Sequence, residues 1–215
     1  MTSGDLSHIV AIVPVRSLSG SKTRLGEPLD SEERAEFVLA MLRRTVAAAL
    51  AAEHLAGVAV VSKDVELLRA GRAMGAATLT QEGGELNAGL AQARLAVAPV
   101  ATAILVLPAD LPGITAEEID RLVETAQAAA DEAPDKPIVL LVPDQHGTGT
   151  NALLISPPGA ISFRFGEGSR ASHAAEATSA RATYIEVVGP LAFDVDTPDD
   201  LLAADLGGLG HEAGR

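Results

Sequence analysis

The chain has 215 residues, 16 of them basic and 29 acidic, for a net charge of −13, and only 2% are aromatic. That balance excludes the broad basic surface that nucleic acid requires, and any anionic substrate must be held by local cations or a metal. No cysteine is present, which excludes disulfides and thiolate metal sites and fits a cytoplasmic protein.

The first residues lack the basic start and long apolar run of a signal peptide. No apolar stretch reaches the ~18 residues of a membrane span. "HIVAIVPVR" (8–16) is a β-branched run with no polar face, as in a strand buried on both sides. "SLSGSKTRLGEPL" is a small-residue, basic loop. A long helix follows from Asp30 or Ser31; with Asp30 as the cap, Glu33 completes a capping box. Val38, Met41, Leu42, Thr45, Val46 and Ala49 recur at helical spacing on it.

"GVAVVS" (57–62) reads as a strand, "KDVELLRAGRAMG" as a helix stopped by Gly75, and "AATLTQ" as a short strand. "EGGELNAGLAQARLAV" is a glycine loop running into a helix. "TAILVLPAD" (102–110) is the clearest buried strand, and Thr115 with Glu118 forms the capping box of the next helix. "KPIVLLVPD" (136–144) is a strand, and "GTGTNALLIS" is a glycine turn into another. "GSRASHAAEATSAR" has helical composition and "TYIEVV" is a strand. In "FDVDTPDDL" (193–201), Thr197 caps a last helix with Pro198 at its first position and Asp199 and Asp200 in its first turn. The tail after it is expected to fray.

Strands alternate with helices, so one α/β/α domain is expected, with a mostly parallel sheet covered on both faces. Ligands in such folds sit outside the carboxyl ends of the strands. Asp110 falls there, its turn stiffened by Pro108 and Pro112. Asp194 and Asp196, two residues apart on an extended segment, point to one side and repel unless a cation lies between them. Three carboxylates at strand ends, without cysteine, suit a hard cation such as Mg²⁺.

Lys22 and Arg24 stand in a loop that is not a Walker A sequence; it is either a phosphate-approaching loop or a solvated basic one. "HGTGT" (146–150) and "FGEGS" (165–169) are glycine turns that offer the hydroxyls of Thr150 and Ser169. Ser169 also opens a helix, either as a phosphate seat or as an ordinary N-cap. His146 and His173 read as bystanders in turn-like or helix-surface settings.

In order, "VPVRSLSGSKTRL", "ELNAGL", "LPADLP", "GTGTNALL", "FRFGEGSRASH" and "FDVDTPDDL" resemble the 2-phospho-L-lactate or phosphoenolpyruvate guanylyltransferase family of deazaflavin coenzyme F-420 biosynthesis. The resemblance covers about residues 8–205. It implies a nucleotide-diphospho-sugar transferase-like fold and a transfer from GTP to a small phosphorylated three-carbon acid, with release of pyrophosphate. It assigns the metal, Mg²⁺, to Asp110, Asp194 and Asp196, and the acid to Thr150, Gly166 and Ser169. Lys22 and Arg24 would meet the triphosphate, with Arg16 in the same nucleotide site and Asn87 near the nucleoside. Arg16 stands where a Lys is common, and Ala109 where a Gly is common. Phosphoenolpyruvate is the expected acceptor; 2-phospho-L-lactate, 3-phosphoglycerate and a different nucleotidyl transfer on the same fold are the alternatives. No nucleic acid or membrane partner is expected, and the Ala-rich helices could pack two copies into a homodimer.

Overall fold

The computed structural model describes residues 4–15 and 31–194. Expectations for Arg16, Lys22, Arg24, Asp30, Asp196 and the last helix lie outside these residues. Among these residues, seven strands and five helices follow one another in the order β1 (Ile9–Pro14), α1 (Ser31–Ala51), β2 (Leu55–Ser62), α2 (Val65–Ala73), β3 (Ala77–Thr80), α3 (Leu86–Val97), β4 (Ala103–Val106), α4 (Ala116–Glu132), β5 (Ile138–Pro143), β6 (Thr150–Ser156), α5 (Ser169–Ser179) and β7 (Thr183–Glu186). The strands form one sheet in the order β3-β2-β1-β4-β6-β5-β7.

The mostly parallel sheet is as expected, and β6 is the exception. It pairs antiparallel with β4 on one side and β5 on the other, while the remaining pairings are parallel. The alternation of strand and helix breaks here, because β5 and β6 follow each other through a tight turn. The reversal matters for the site. The other six strands point their carboxyl ends to one edge, and β6 begins at that same edge with Thr150, paired to Pro143 at the end of β5.

Both faces of the sheet are covered, and strand alternation divides the core between them. Ile9, Ala11 and Val13 of β1 pack with Val38, Leu42 and Val46 of α1, with α2 and with α4. Val10 and Ile12 face the other way, onto Leu90 and Ala93 of α3 and Ala177 of α5. The helical spacing read on α1 is that of its buried face: Val38, Met41, Leu42, Thr45, Val46 and Ala49 are all buried.

Local capping chemistry sets several boundaries. The Asp64 carboxylate accepts from the Glu66 N–H at 2.9 Å to open α2. Gly75, at φ +100°, ends that helix in backbone space that L-residues rarely adopt. Thr115 caps α4 by accepting from the Glu118 N–H at 3.2 Å. The reciprocal half of the expected capping box does not form. The Glu118 carboxylate instead takes the Arg121 guanidinium at 2.6 Å, one turn further on.

Candidate active site

Two glycine turns meet at the carboxyl edge of the sheet. In the first, which joins β5 to β6, the Asp144 carboxylate accepts from the Thr148 N–H at 2.8 Å. Gly149 lies against that carboxylate: an added Cβ would stand 2.5 Å from Asp144 Oδ2, so the Asp144 side chain would have to move. In the second, Gly166 and Gly168 adopt φ +129° and +67°, and Gly168 is the N-cap of α5. Ser169 is therefore not the cap. It is the first helical residue, buried, and its own N–H donates to the Gly166 carbonyl at 3.1 Å.

Arg170 joins the turns. Its N–H donates to the Thr148 carbonyl at 3.1 Å and its Nη1 to the Gly147 carbonyl at 2.9 Å. Its Nε and Nη2 fork onto the Glu186 carboxylate at 2.9 and 2.7 Å, a planar match that fixes the side chain. The hydrogen bonds and charge of Arg170 hold the Glu186 carboxyl below its ordinary range.

β6 carries the central irregularity. Val142 pairs with Ala152, but Pro143 pairs with Thr150, so Asn151 is an extra residue in its strand. Such a bulge re-aims the side chains around it. Without it, Thr150 would share the face of Ala152 and Leu154, under α1 and α4. With it, Thr150 turns to the α5 side and reaches His173, Oγ1 to Nδ1, at 3.1 Å. Asn151 turns the opposite way. Its Nδ2 donates to the Leu191 and Ala192 carbonyls at 3.1 and 3.0 Å and to Asp194 Oδ1 at 3.2 Å. One buried amide thus fastens the Asp194 segment to the central sheet.

His173 is not on the helix surface, as its composition suggested, but fully buried. Its Nε2 accepts from the Arg164 N–H at 2.9 Å. The Phe165 ring meets it edge-on, with centroids 5.0 Å apart. Burial pushes its imidazole down to about 4; Glu176 opposes that shift and Arg164 adds to it. Asn87, on α3, is paired with the same loop. Its Nδ2 donates to the Phe165 carbonyl and its Oδ1 accepts from the Phe165 N–H, both at 2.9 Å. Asn87, Gly166, Ser169 and Thr150 therefore belong to one hydrogen-bonded neighbourhood.

Asp110 lies in a turn beyond the last residue of β4, rather than ending the strand. Asp194 follows the 3-10 turn Pro190–Ala192, which comes after β7. The two segments touch through Gly113, where an added Cβ would stand 2.6 Å from the Pro190 carbonyl oxygen. Gly113→Ala must therefore push the Asp110 turn and the Asp194 segment apart. It is expected to destabilise the protein by about 1–3 kcal/mol, read as a lowered midpoint in thermal melts; an unchanged midpoint would show that the contact is not needed.

Two carboxylates on contacting loops, with no sulfur nearby, are a donor set that fits a hard, oxygen-preferring cation. Among the described residues no three His, Cys, Asp or Glu side chains gather closely enough to hold an ion. Asp196, the third expected ligand, is outside them.

Two residues of this neighbourhood were missed or misjudged in the sequence. Asn151 is the one amide in the strand "TNALLIS". His173 follows Ser169 at i+4, and with Ala177 it forms the buried face of α5. That spacing was legible, although the burial was not.

The family described as guanylyl transferase CofC like matches residues 9–214. A phosphoenolpyruvate guanylyltransferase from Rubrobacter xylanophilus is 42% identical over 203 residues, covering 93% of this chain and 95% of that protein. A phosphoenolpyruvate guanylyltransferase from Sphaerobacter thermophilus is 43% identical over 194 residues, covering 89% and 90%. Among solved structures, one from Desulfovibrio desulfuricans, described as a nucleotide-diphospho-sugar transferase, superposes with a TM-score of 0.71 at 15% identity, over 98% of this chain and 90% of that one. The structural likeness gives the fold, as the sequence resemblance implied, and the family match over nearly the whole length decides membership: the chain belongs to the CofC-like guanylyl transferases.

Proposed function

We propose that the protein transfers the guanylyl group of GTP to phosphoenolpyruvate, giving enolpyruvoyl-2-diphospho-5'-guanosine and pyrophosphate, in coenzyme F-420 biosynthesis. The observation that supports the reading is the tie that Arg170 makes between the two glycine turns, one leading into Thr150 and the other carrying Gly166 and Ser169. Hydroxyls and a helix N-terminus at one place suit a small ligand with a phosphate and a carboxylate. The names of the relatives support the choice of acceptor.

In this reaction a phosphate oxygen of the acid attacks the α-phosphorus of GTP. The bond from that phosphorus to the β-phosphate oxygen breaks, and pyrophosphate leaves in line. No general base is required, because a phosphate dianion is already a nucleophile near neutral pH. His173 is accordingly free for another task. Thr150 and Ser169 hold the acid, and Asn87 orders the loop between acid and nucleoside. Arg16, Lys22 and Arg24 are assigned to the triphosphate on the sequence resemblance. Mg²⁺, held by Asp110, Asp194 and Asp196, would offset repulsion between the two anions and stabilise charge on the departing pyrophosphate. Positioning and charge stabilisation supply most of the barrier reduction in such a mechanism.

Pyrophosphate release with GTP and each of phosphoenolpyruvate, 2-phospho-L-lactate and 3-phosphoglycerate tests the reading. Phosphoenolpyruvate should give the highest kcat/KM, and the product mass should retain the enolpyruvyl double bond. A saturated product formed preferentially from mixed acids would reassign the acceptor. Equal kcat/KM for ATP and GTP would remove the guanine preference.

A further inference from the structure

We propose that His173 is a positioning residue that fixes the Thr150 hydroxyl as a hydrogen-bond donor toward an anionic oxygen of the acceptor acid. The inference rests on the reading of Thr150 as an acid contact and deepens it.

The Arg164 backbone is a donor that cannot reverse. The backbone N–H of Arg164 points at His173 Nε2 from 2.9 Å. Its position is set by the Glu176 carboxylate, which accepts from the Ser162 N–H at 3.1 Å and from the Arg164 guanidinium at 2.9 and 2.7 Å. An N–H can only donate, so Nε2 must be the bare, accepting nitrogen. A neutral ring then carries its hydrogen on Nδ1. Nδ1 lies 3.1 Å from Thr150 Oγ1, so the ring donates and the hydroxyl oxygen accepts. Turning the ring over would put carbons at both contacts, and the Phe165 edge packed against it restrains that motion. Protonation of Nε2 would set two donors against each other, and burial disfavours the cation as well.

With its oxygen engaged by His173, the Thr150 hydroxyl directs its own hydrogen elsewhere. Among the described residues its one hydrogen-bond partner is His173. The direction of the relay is therefore set: Arg164 N–H to Nε2, Nδ1–H to Oγ1, and Oγ1–H outward. A hydroxyl with this polarity selects an acceptor, as a carboxylate or phosphate oxygen is, and disfavours a ligand N–H or O–H at the same point. Thr150 thus contributes specificity for an anion, and His173 imposes it from within the fold without touching the ligand.

Two measurements test this. In the unsubstituted protein, imidazole ¹⁵N shifts should show Nδ1 protonated and Nε2 bare between about pH 6 and 8; a dominant Nε2–H form would overturn the inference whatever the kinetics. The kinetic test is a cycle of Thr150→Val, His173→Phe and the double variant. Each single change should raise the KM for phosphoenolpyruvate about 10-fold while the KM for GTP stays within about twofold. The double variant should be no worse than Thr150→Val alone, because His173 acts through Thr150. His173→Asn, which keeps an N–H near the Nδ1 position, should recover part of the loss and covers the case in which His173→Phe folds poorly. A silent Thr150→Val would sink the acid-contact reading itself. A costly Thr150→Val with a silent or fully additive His173→Phe would sink only the role given to His173.

Discussion

Asp194→Asn is expected to lower kcat/KM by about 100-fold or more, while the metal-free protein melts at the same or a higher temperature. The two effects have opposite signs because the carboxylate has two consequences. On the proposed reading its charge would oppose the fold when no cation is bound beside Asp110 and Asp196, and would hold Mg²⁺ when one is. The amide that replaces it keeps an oxygen to accept from Asn151, so the 3.2 Å tether to β6 survives and the segment keeps its place. Mg²⁺ should therefore raise the melting temperature of the unsubstituted protein by mass action and raise that of Asp194→Asn much less. The control is Asp199→Asn. The sequence places its carboxylate past the expected cap Thr197, in the first turn of the expected helix, so activity should hardly change. Normal turnover by Asp194→Asn at saturating Mg²⁺, or an equal Mg²⁺-induced shift in both proteins, would remove Asp194 from the metal site.

A second large effect concerns pH. The folded protein holds the His173 imidazole at about 4, against an ordinary value of 6.5, because burial disfavours the cation. The unfolded chain therefore takes up a proton before the folded one does. The contribution of this residue is complete above about pH 6.5 and is lost as the pH falls toward about 4. Over that window the depression corresponds to roughly 3 kcal/mol of stability. Glu176 and Glu186, held below their ordinary range by Arg164 and Arg170, add losses of the same sign, but at the acid end of the window. The upper part, from about pH 6.5 to 5, should therefore belong mainly to His173. Chemical denaturation across this range should show a slope approaching one proton in the unsubstituted protein and a flatter profile in His173→Phe, even if that variant is less stable throughout. Equal slopes would mean that the ring is not held neutral by the fold.

The two expectations differ in how far they could be reached without coordinates. The placement of Asp194 was legible, because a residue that follows a strand in an α/β chain falls near the carboxyl edge of the sheet. So was Asp110, apart from the extra turn between it and β4. The protonation of His173 was not, since its sequence surroundings of Ala, Ser and Glu read as an exposed helix. Ser169 was placed correctly at a helix start, but its capping role belongs to Gly168, whose φ of +67° no propensity in "GEGS" distinguishes from that of its neighbours.

Local patterning was enough to name the described elements and the layers. Short runs rich in β-branched residues, without a polar side and bounded by Gly or Pro, read as strands covered on both faces, and the helical period on α1 names the residues it buries. These are local properties, repeated over many residues, so they survive without knowledge of what each element meets. The wiring of the site comes from long-range packing. The reversal of β6 depends on which strands flank it. The extra residue at Asn151 is defined only against its partner strand β5, and it sends Thr150 to His173 and Asn151 to the Asp194 segment. The approach of Gly113 to Pro190 joins positions far apart in the chain. Each of these is a pairing between distant residues, and the periodicity of one segment carries no information about the register or face of another.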